Sequence, residues 1–306
     1  MTIRLDPTIE TTADVFSAAH APVLTIDPGD TLIVRSLDAS GYLEPQQHPG
    51  QEQHKLRPQS RGHCLTGPIA VRGARPGQRL ALRLHALRPD PWGWTVAAAL
   101  DTPVSRRLGL VEGPPSWLLW QLDADARTGR ESRGFVRDLA PFLGVMGVAP
   151  AEPGEHSTIA PRAASGGNID CRELVAGSTL YLPVAVPDAL LYLGDGHAAQ
   201  GDGEVGGTAI ECAMTTELTV DLVDDRPLTQ IHAETPAGLI TFGFDADLNL
   251  AAGDALDAMV GWLALRYEVD RATALALAST AVDLRITQIA NQTWGVHALL
   301  PADGLR

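Results

Sequence analysis

The sequence predicts a mainly β protein, sandwich- or barrel-like in its β domains, with a small α+β unit at the C-terminal end. Three observations carry this reading. Apolar runs of strand length recur between Gly, Pro and Asp through the first 245 residues. Arg79-Leu-Ala-Leu-Arg-Leu-His85 alternates in the way a half-buried strand does. Beyond residue 250 the spacing turns helical, with Leu256, Met259, Val260 and Leu263 on one stripe.

Taken in order, the first strands are expected at 22–26, 31–37, 69–71 and 79–87. Pro28-Gly29 and Pro76-Gly77 supply turn–strand junctions ahead of two of them. Residues 90–137 are less regular and read as a hairpin or long excursion holding Trp92, Trp94, Trp117 and Trp120. Packing in the core and rim is the favoured role for those rings. The apolar, glycine-containing run 142–149 suits a buried strand with close backbone approach. Further strands are expected at 180–186, 190–193, 217–223 and 238–244. A helix is expected over 253–266, with Asp254 and Asp257 in its first turn and Arg266 at its end. Asp270 then caps an alanine-rich helix over 271–282, and a strand follows at 283–289. The expected organisation is an N-terminal β domain over 1–155, a β segment carrying the site over 156–245, and the α+β unit over 246–306.

Composition narrows the function. The 37 acidic residues outnumber the 23 Lys and Arg, giving a net charge of −14. Phosphate neutralisation needs clustered cations, so nucleic acid is not an expected partner. An anionic membrane surface is disfavoured for the same reason. Cys64, Cys171 and Cys212 are an odd, irregularly spaced set and make no disulfide framework. The N-terminus has no apolar signal core, and no run approaches ~20 uncharged apolar residues. The expected setting is soluble and cytoplasmic.

Most of the chemical signal lies in Gly194–Glu211, GDGHAAQGDGEVGGTAIE, with Ser165-Gly-Gly-Asn-Ile-Asp170 upstream. Glycine turns can fold Asp195, His197, Asp202, Glu204 and Glu211 toward one point. Carboxylates with an imidazole are the materials of a divalent-metal site, and Asp170, Asp195, Glu204 and Glu211 all offer oxygen beside the nitrogen of His197. The competing reading is a set of glycine turns with solvated acids and a satisfied histidine. Gly201-Asp-Gly-Glu-Val-Gly206 fits GxGxxG literally, but Asp202 and Glu204 would repel a pyrophosphate. The calcium-loop pattern counted from Asp195 fails, because Gln200 stands where glycine is required. No GxSxG elbow occurs. Cys171 follows Asp170, whose charge raises a thiol's pKa, so a buried inert thiol is favoured over a nucleophile. His63, His232 and His297 read as ordinary partly buried imidazoles.

Several blocks resemble the acetamidase/formamidase family: Pro141-Phe-Leu-Gly-Val-Met-Gly-Val-Ala-Pro150, Gly166-Gly-Asn-Ile-Asp170, Gly177-Ser-Thr-Leu-Tyr-Leu-Pro-Val184 and Gly194–Glu211. Thr66-Gly-Pro-Ile69, Gly73-Ala-Arg-Pro-Gly77, Ala278–Gln288 and Gly295–Pro301 extend the likeness to the C-terminus. Segment 90–137 is the least similar. The resemblance implies hydrolysis of short aliphatic amides, such as formamide or acetamide, to a carboxylate and ammonia. It also implies a homo-oligomer and a divalent metal, zinc or calcium. Asp170, His197 and Glu204 are the expected metal ligands. Glu211 is the expected proton shuttle, with Asp202 second, and Asn168 is expected to orient the carbonyl or the ligand set. Water at such a metal ionises near pH about 7, and the departing ammonia needs a proton that a carboxylate can carry. Two other readings stay open: a hydrolase of a larger amide on the same scaffold, and a metal- or ligand-binding protein without catalysis.

Overall fold

The computed structural model describes residues 2–98, 100–224 and 230–305. Among these, two large sheets carry the fold. The nine-stranded sheet runs in the order Thr2–Leu5, Asp30–Ser36, Met214–Val223, Arg79–Pro89, Thr179–Pro183, His232–Thr235, Gly238–Asp245, Trp294–Pro301, Asp283–Gln288. Its first pair is parallel and every other pair antiparallel. The second sheet has eleven strands. Its main path is Val136–Asp138, Thr128–Glu131, Ser116–Asp123, Trp92–Ala97, Glu211–Cys212, Leu191–His197, Phe142–Val148, Gly166–Asn168. Leu65–Val71 branches from Leu191–His197 and carries two short strands.

Alternation decides which faces meet. In Asp30–Ser36 the side chains of Leu32, Val34 and Ser36 are buried, and in Met214–Val223 so are Met214, Thr216, Leu218 and Val220. Leu32, Leu82 and Leu218 of the nine-stranded sheet share one core with Ile69, Leu143 and Leu193 of the other. This is a sandwich, as expected from the sequence. Each fully buried Leu or Ile contributes about 1.5–3 kcal/mol relative to exposure. Phe142–Val148 and Leu191–His197 are buried at all seven positions, so neither alternates. Asp195 and His197 therefore sit inside a strand with no solvent face, where unpaired polar groups are costly.

The expected strands are present. Leu65–Val71, Arg79–Pro89, Leu191–His197 and Met214–Val223 run two to four residues longer than expected, whereas Leu24–Ile26 and Thr179–Pro183 are each two residues shorter. The 90–137 excursion holds the hairpin Ser116–Asp123 with Thr128–Glu131, followed by a third strand. Leu248–Tyr267 starts ahead of the expected position 253, because the Asp247 side chain accepts from the Asn249 N–H and caps it there. Asp270 caps Arg271–Ala281 as expected. Ala251, Ala255, Met259 and Leu263 pack the long helix against the strands Gly238–Asp245 and Trp294–Pro301. A Cβ on Gly243 would lie 2.0 Å from the Ala251 carbonyl, so glycine sets this close approach. That helix is long and apolar enough to cross a membrane by length and composition, but here one face is packed on the sheet. Both sheets draw strands from either side of residue 155.

Candidate metal centre and active site

Four segments meet at one buried point. Asp195 and His197 are two apart on Leu191–His197 and share a face. His197 lies opposite Glu211 on one neighbouring strand and opposite Phe142 on the other. The Phe142 ring stands nearly perpendicular to the imidazole, with centroids 5.1 Å apart. Asp170 follows the strand Gly166–Asn168, its N–H donating to the Gly144 carbonyl at 3.2 Å. Glu204 comes from the glycine-rich loop between Leu191–His197 and Glu211–Cys212. Asp170, Asp195 and Glu204 have φ of 53°, 60° and 42°, left-handed values that L residues adopt only when the surroundings hold them.

One donor atom each from Asp170, Asp195 and His197 lies within 4.8 Å of the others, and the same holds for His197, Glu204 and Glu211. The His197 Nε2 is 3.4 Å from Asp195 Oδ2 and 3.3 Å from Glu211 Oε1. Its Nδ1 is 2.9 Å from Gln200 Oε1, an acceptor, so Nδ1 carries the proton and Nε2 is left to face the acids. Gln200 Nε2 donates in turn to the Asp170 carbonyl at 2.7 Å. Glu211 Oε1 accepts from the Ala209 N–H at 2.9 Å. Both oxygens of Asp170, Oδ1 of Asp195 and Oε2 of Glu211 are buried without a hydrogen-bond partner. Beneath them is Gly144, where a Cβ would fall 2.4 Å from Asp195 Oδ2 and 2.6 Å from Asp170 Oδ1.

Four carboxylates around one imidazole are electrostatically unbalanced. Burial, then the neighbouring acids, pushes the Asp170 and Glu204 carboxyls well above the usual range. Burial also raises Glu211. At Asp195 burial acts upward but is outweighed by the His197 and His63 charges, leaving its carboxyl below the usual range. Burial lowers His197, but Glu211 and Asp195 outweigh it and hold the imidazole high. A divalent cation would satisfy both the orphaned oxygens and the surplus negative charge, so the donor set fits a metal.

Asp170, His197, Glu204 and Glu211 are thus brought together. Asp202 is exposed, 4.0 Å from the Arg172 guanidinium, and stands outside the donor groups. Asn168 is buried; its Nδ2 donates to the Ile159 carbonyl at 3.2 Å and its Oδ1 has no partner. Asp195 belongs to the cluster although it lay outside the expected ligand set. Gln200 and Gly144 were not singled out as site residues, and neither type carries a motif signal. His63 stands at the edge, its Nε2 3.9 Å from Asp195 Oδ2. His232 lies elsewhere, stacked on Tyr181.

A cavity of about 310 Å³ opens beside Glu204 and Gln200. Leu118, Trp120 and Arg137 of the excursion line it, together with Asp202 and Ile210. Trp120 fills the core as well, at 9% exposure, and donates its indole N–H to Thr95 Oγ1 at 3.1 Å.

Comparison with known proteins identifies the fold and the family. An acetamidase from Bacillus halodurans superposes with a TM-score of 0.86 at 28% identity, over 97% of each chain. An acetamidase from Yersinia enterocolitica gives 0.84 at 27%, over 98% of this chain and 92% of that one. The acetamidase of Mycolicibacterium smegmatis is 42% identical over 220 residues, about half of each protein (53% of both). The model of the acetamidase/formamidase family matches residues 14–156 and 151–303. The chain belongs to the acetamidase/formamidase family, whose members are amide hydrolases.

Proposed function

We propose that this chain hydrolyses short aliphatic amides to a carboxylate and ammonia, with a divalent cation, zinc first, held by Asp170, Asp195 and His197. The observation that carries the reading is the set of partnerless buried oxygens on Asp170, Asp195 and Glu211, residues whose donor atoms group with His197. Imidazole in the set favours zinc, and the surplus of carboxylates leaves calcium as the second candidate. A cation bound there polarises a carbonyl and brings the ionisation of water to about pH 7.

The chain's own groups do the rest. Gln200 fixes the His197 ring and the Asp170 backbone at once. Glu211 is held at Oε1 by Ala209, so its free Oε2 takes a proton from water and delivers it to the amide nitrogen. Glu204 faces the same point from the loop side and serves as a further ligand. Asn168 is assigned the orientation of the ligand set, and Asp202 a charge at the cavity mouth.

The test is ammonia release from formamide, acetamide and propionamide, before and after chelation, with elemental analysis of the same sample. Turnover that falls on chelation and returns with one metal supports the reading. Turnover indifferent to thorough metal removal overturns the metal-assisted route. Glu211→Gln is expected to keep its metal while kcat falls on the order of 10²–10⁴-fold. Equal loss of metal and turnover in that variant would make Glu211 a ligand rather than a shuttle.

The Leu118, Trp120 and Arg137 lining favours a second reading, a larger amide substrate. Activity on bulky amides with none on acetamide would select it. Metal and amide binding without ammonia release would instead select a non-catalytic binding protein.

A further inference from the structure

We propose that Cys171, Glu173 and His297 form a second, structural metal site that takes zinc. The three side chains come from two distant parts of the chain. Cys171 and Glu173 lie on the turn after Asp170, and His297 lies on the strand Trp294–Pro301. Their donor atoms are all within 4.8 Å of one another and all three residues are buried. Cys171 Sγ is 3.3 Å from Glu173 Oε2, and His297 Nε2 is 3.5 Å from the same oxygen.

The imidazole points to a ligand independently of the cluster. His297 is fully buried, and its Nε2 has no hydrogen-bond partner among the described residues. Its Nδ1 is held at 2.8 Å by the Thr287 hydroxyl, the second-sphere contact that ligating histidines use to fix their ring. Glu173 is oriented in a similar way, since Arg285 donates to Oε1 at 3.1 Å and leaves Oε2 toward the cysteine and histidine. One sulfur, one nitrogen and one oxygen suit zinc better than calcium or magnesium. On binding, the Cys171 S–H bond breaks, the sulfur–metal bond forms and the proton leaves to solvent, with no redox change.

Thr287 connects this site to the first one. Its carbonyl accepts from the Gly203 N–H at 3.1 Å, next to Glu204. A metal at His297 would therefore brace the strand that holds the Glu204 loop.

Cobalt separates the two sites, because only the second contains sulfur. The protein is produced with cobalt as the sole supplied transition metal, and its absorption and metal content are measured. The expected result is a thiolate-to-cobalt charge-transfer band in the near ultraviolet. It should persist in His197→Ala, and in both Cys171→Ser and His297→Ala it should vanish with loss of one metal per chain. Absence of the band from cobalt-loaded wild type would overturn the proposal. So would a band that survives Cys171→Ser, since Cys64 or Cys212 would then be its source. Because the band does not depend on turnover, its outcome is separate from that of the amidase assay.

Discussion

The smallest residue at the centre makes the sharpest demand. Gly144 lies on a strand buried at every position, and its missing side chain is the space the donor oxygens occupy. A methyl there would meet Asp195 Oδ2 at 2.4 Å, Asp170 Oδ1 at 2.6 Å and His197 Cε1 at 2.9 Å. None of these can retreat cheaply, because Asp170 and Asp195 are fixed by left-handed backbone and the imidazole by Gln200 and Phe142. Gly144→Ala is expected to keep the sandwich, since the added methyl meets site atoms rather than the hydrophobic core. Metal affinity and kcat should both fall, on the order of a hundredfold, from displacement of the donor set. Elemental analysis and turnover measured beside a circular-dichroism spectrum check this; native activity with full metal content would refute it. The sequence left this position unread because one glycine in an apolar strand carries no sign of what its absent side chain makes room for.

Elements position the site through a few buried polar ties. The loop after Asp30–Ser36 is tied to the strand Trp92–Ala97 by Asp38, which accepts from the Trp94 indole at 3.0 Å and from the Tyr42 N–H at 3.1 Å. Trp94 in turn pairs with Glu211 across the sheet. Burial raises the Asp38 carboxyl to about 6 from an ordinary 3.8, despite those donors. Between these values the folded chain keeps a proton that the unfolded chain has lost. Stability from this group therefore falls as pH rises from about 4 to 6, and the cost is complete above that. The gap corresponds to roughly 3 kcal/mol. Asp38→Asn cannot ionise, although it gives up one acceptor. Relative to wild type it is expected to be least stable at pH 4 and to recover by roughly 3 kcal/mol at pH 7. Urea unfolding of both proteins at the two pH values measures this, since the active-site carboxylates titrate in both and cancel. A difference that stays constant with pH would mean that Asp38 is not buried as an ionisable group.

On the scale of the whole molecule, alternation made Arg79–Pro89 legible and the acid Asp270 marked a helix start, but the short strand Thr2–Leu5, the largely buried strand Trp294–Pro301 and the Asp247 cap went unread. The strand carrying Asp195 and His197 was only partly legible, since burial on both faces removes the alternation that marks a half-buried strand. Convergence of Asp170 with residues 195–211 depends on sheet order, which brings Gly166–Asn168 within two strands of Leu191–His197. The inclusion of Asp195 and the exclusion of Asp202 from the cluster likewise follow from backbone turns and not from spacing. The same convergence has a thermodynamic consequence for the entire fold. Burying four carboxylates beside one histidine is unfavourable, and the unfolded chain relieves it by hydrating them. A cation that binds only the folded chain should stabilise it by ~2.7 kcal/mol at a free concentration 100 times its Kd. For a chain of this length that is a rise in Tm on the order of 5 °C. Calorimetry of chelated and zinc-restored protein is expected to show this rise, and in His197→Ala the response should shrink because the one nitrogen donor of the first site is gone. An identical Tm with and without metal in wild type would mean that the carboxylates tolerate burial by sharing protons. The partnerless oxygens would then mark strain held within the strands and not a ligand's place.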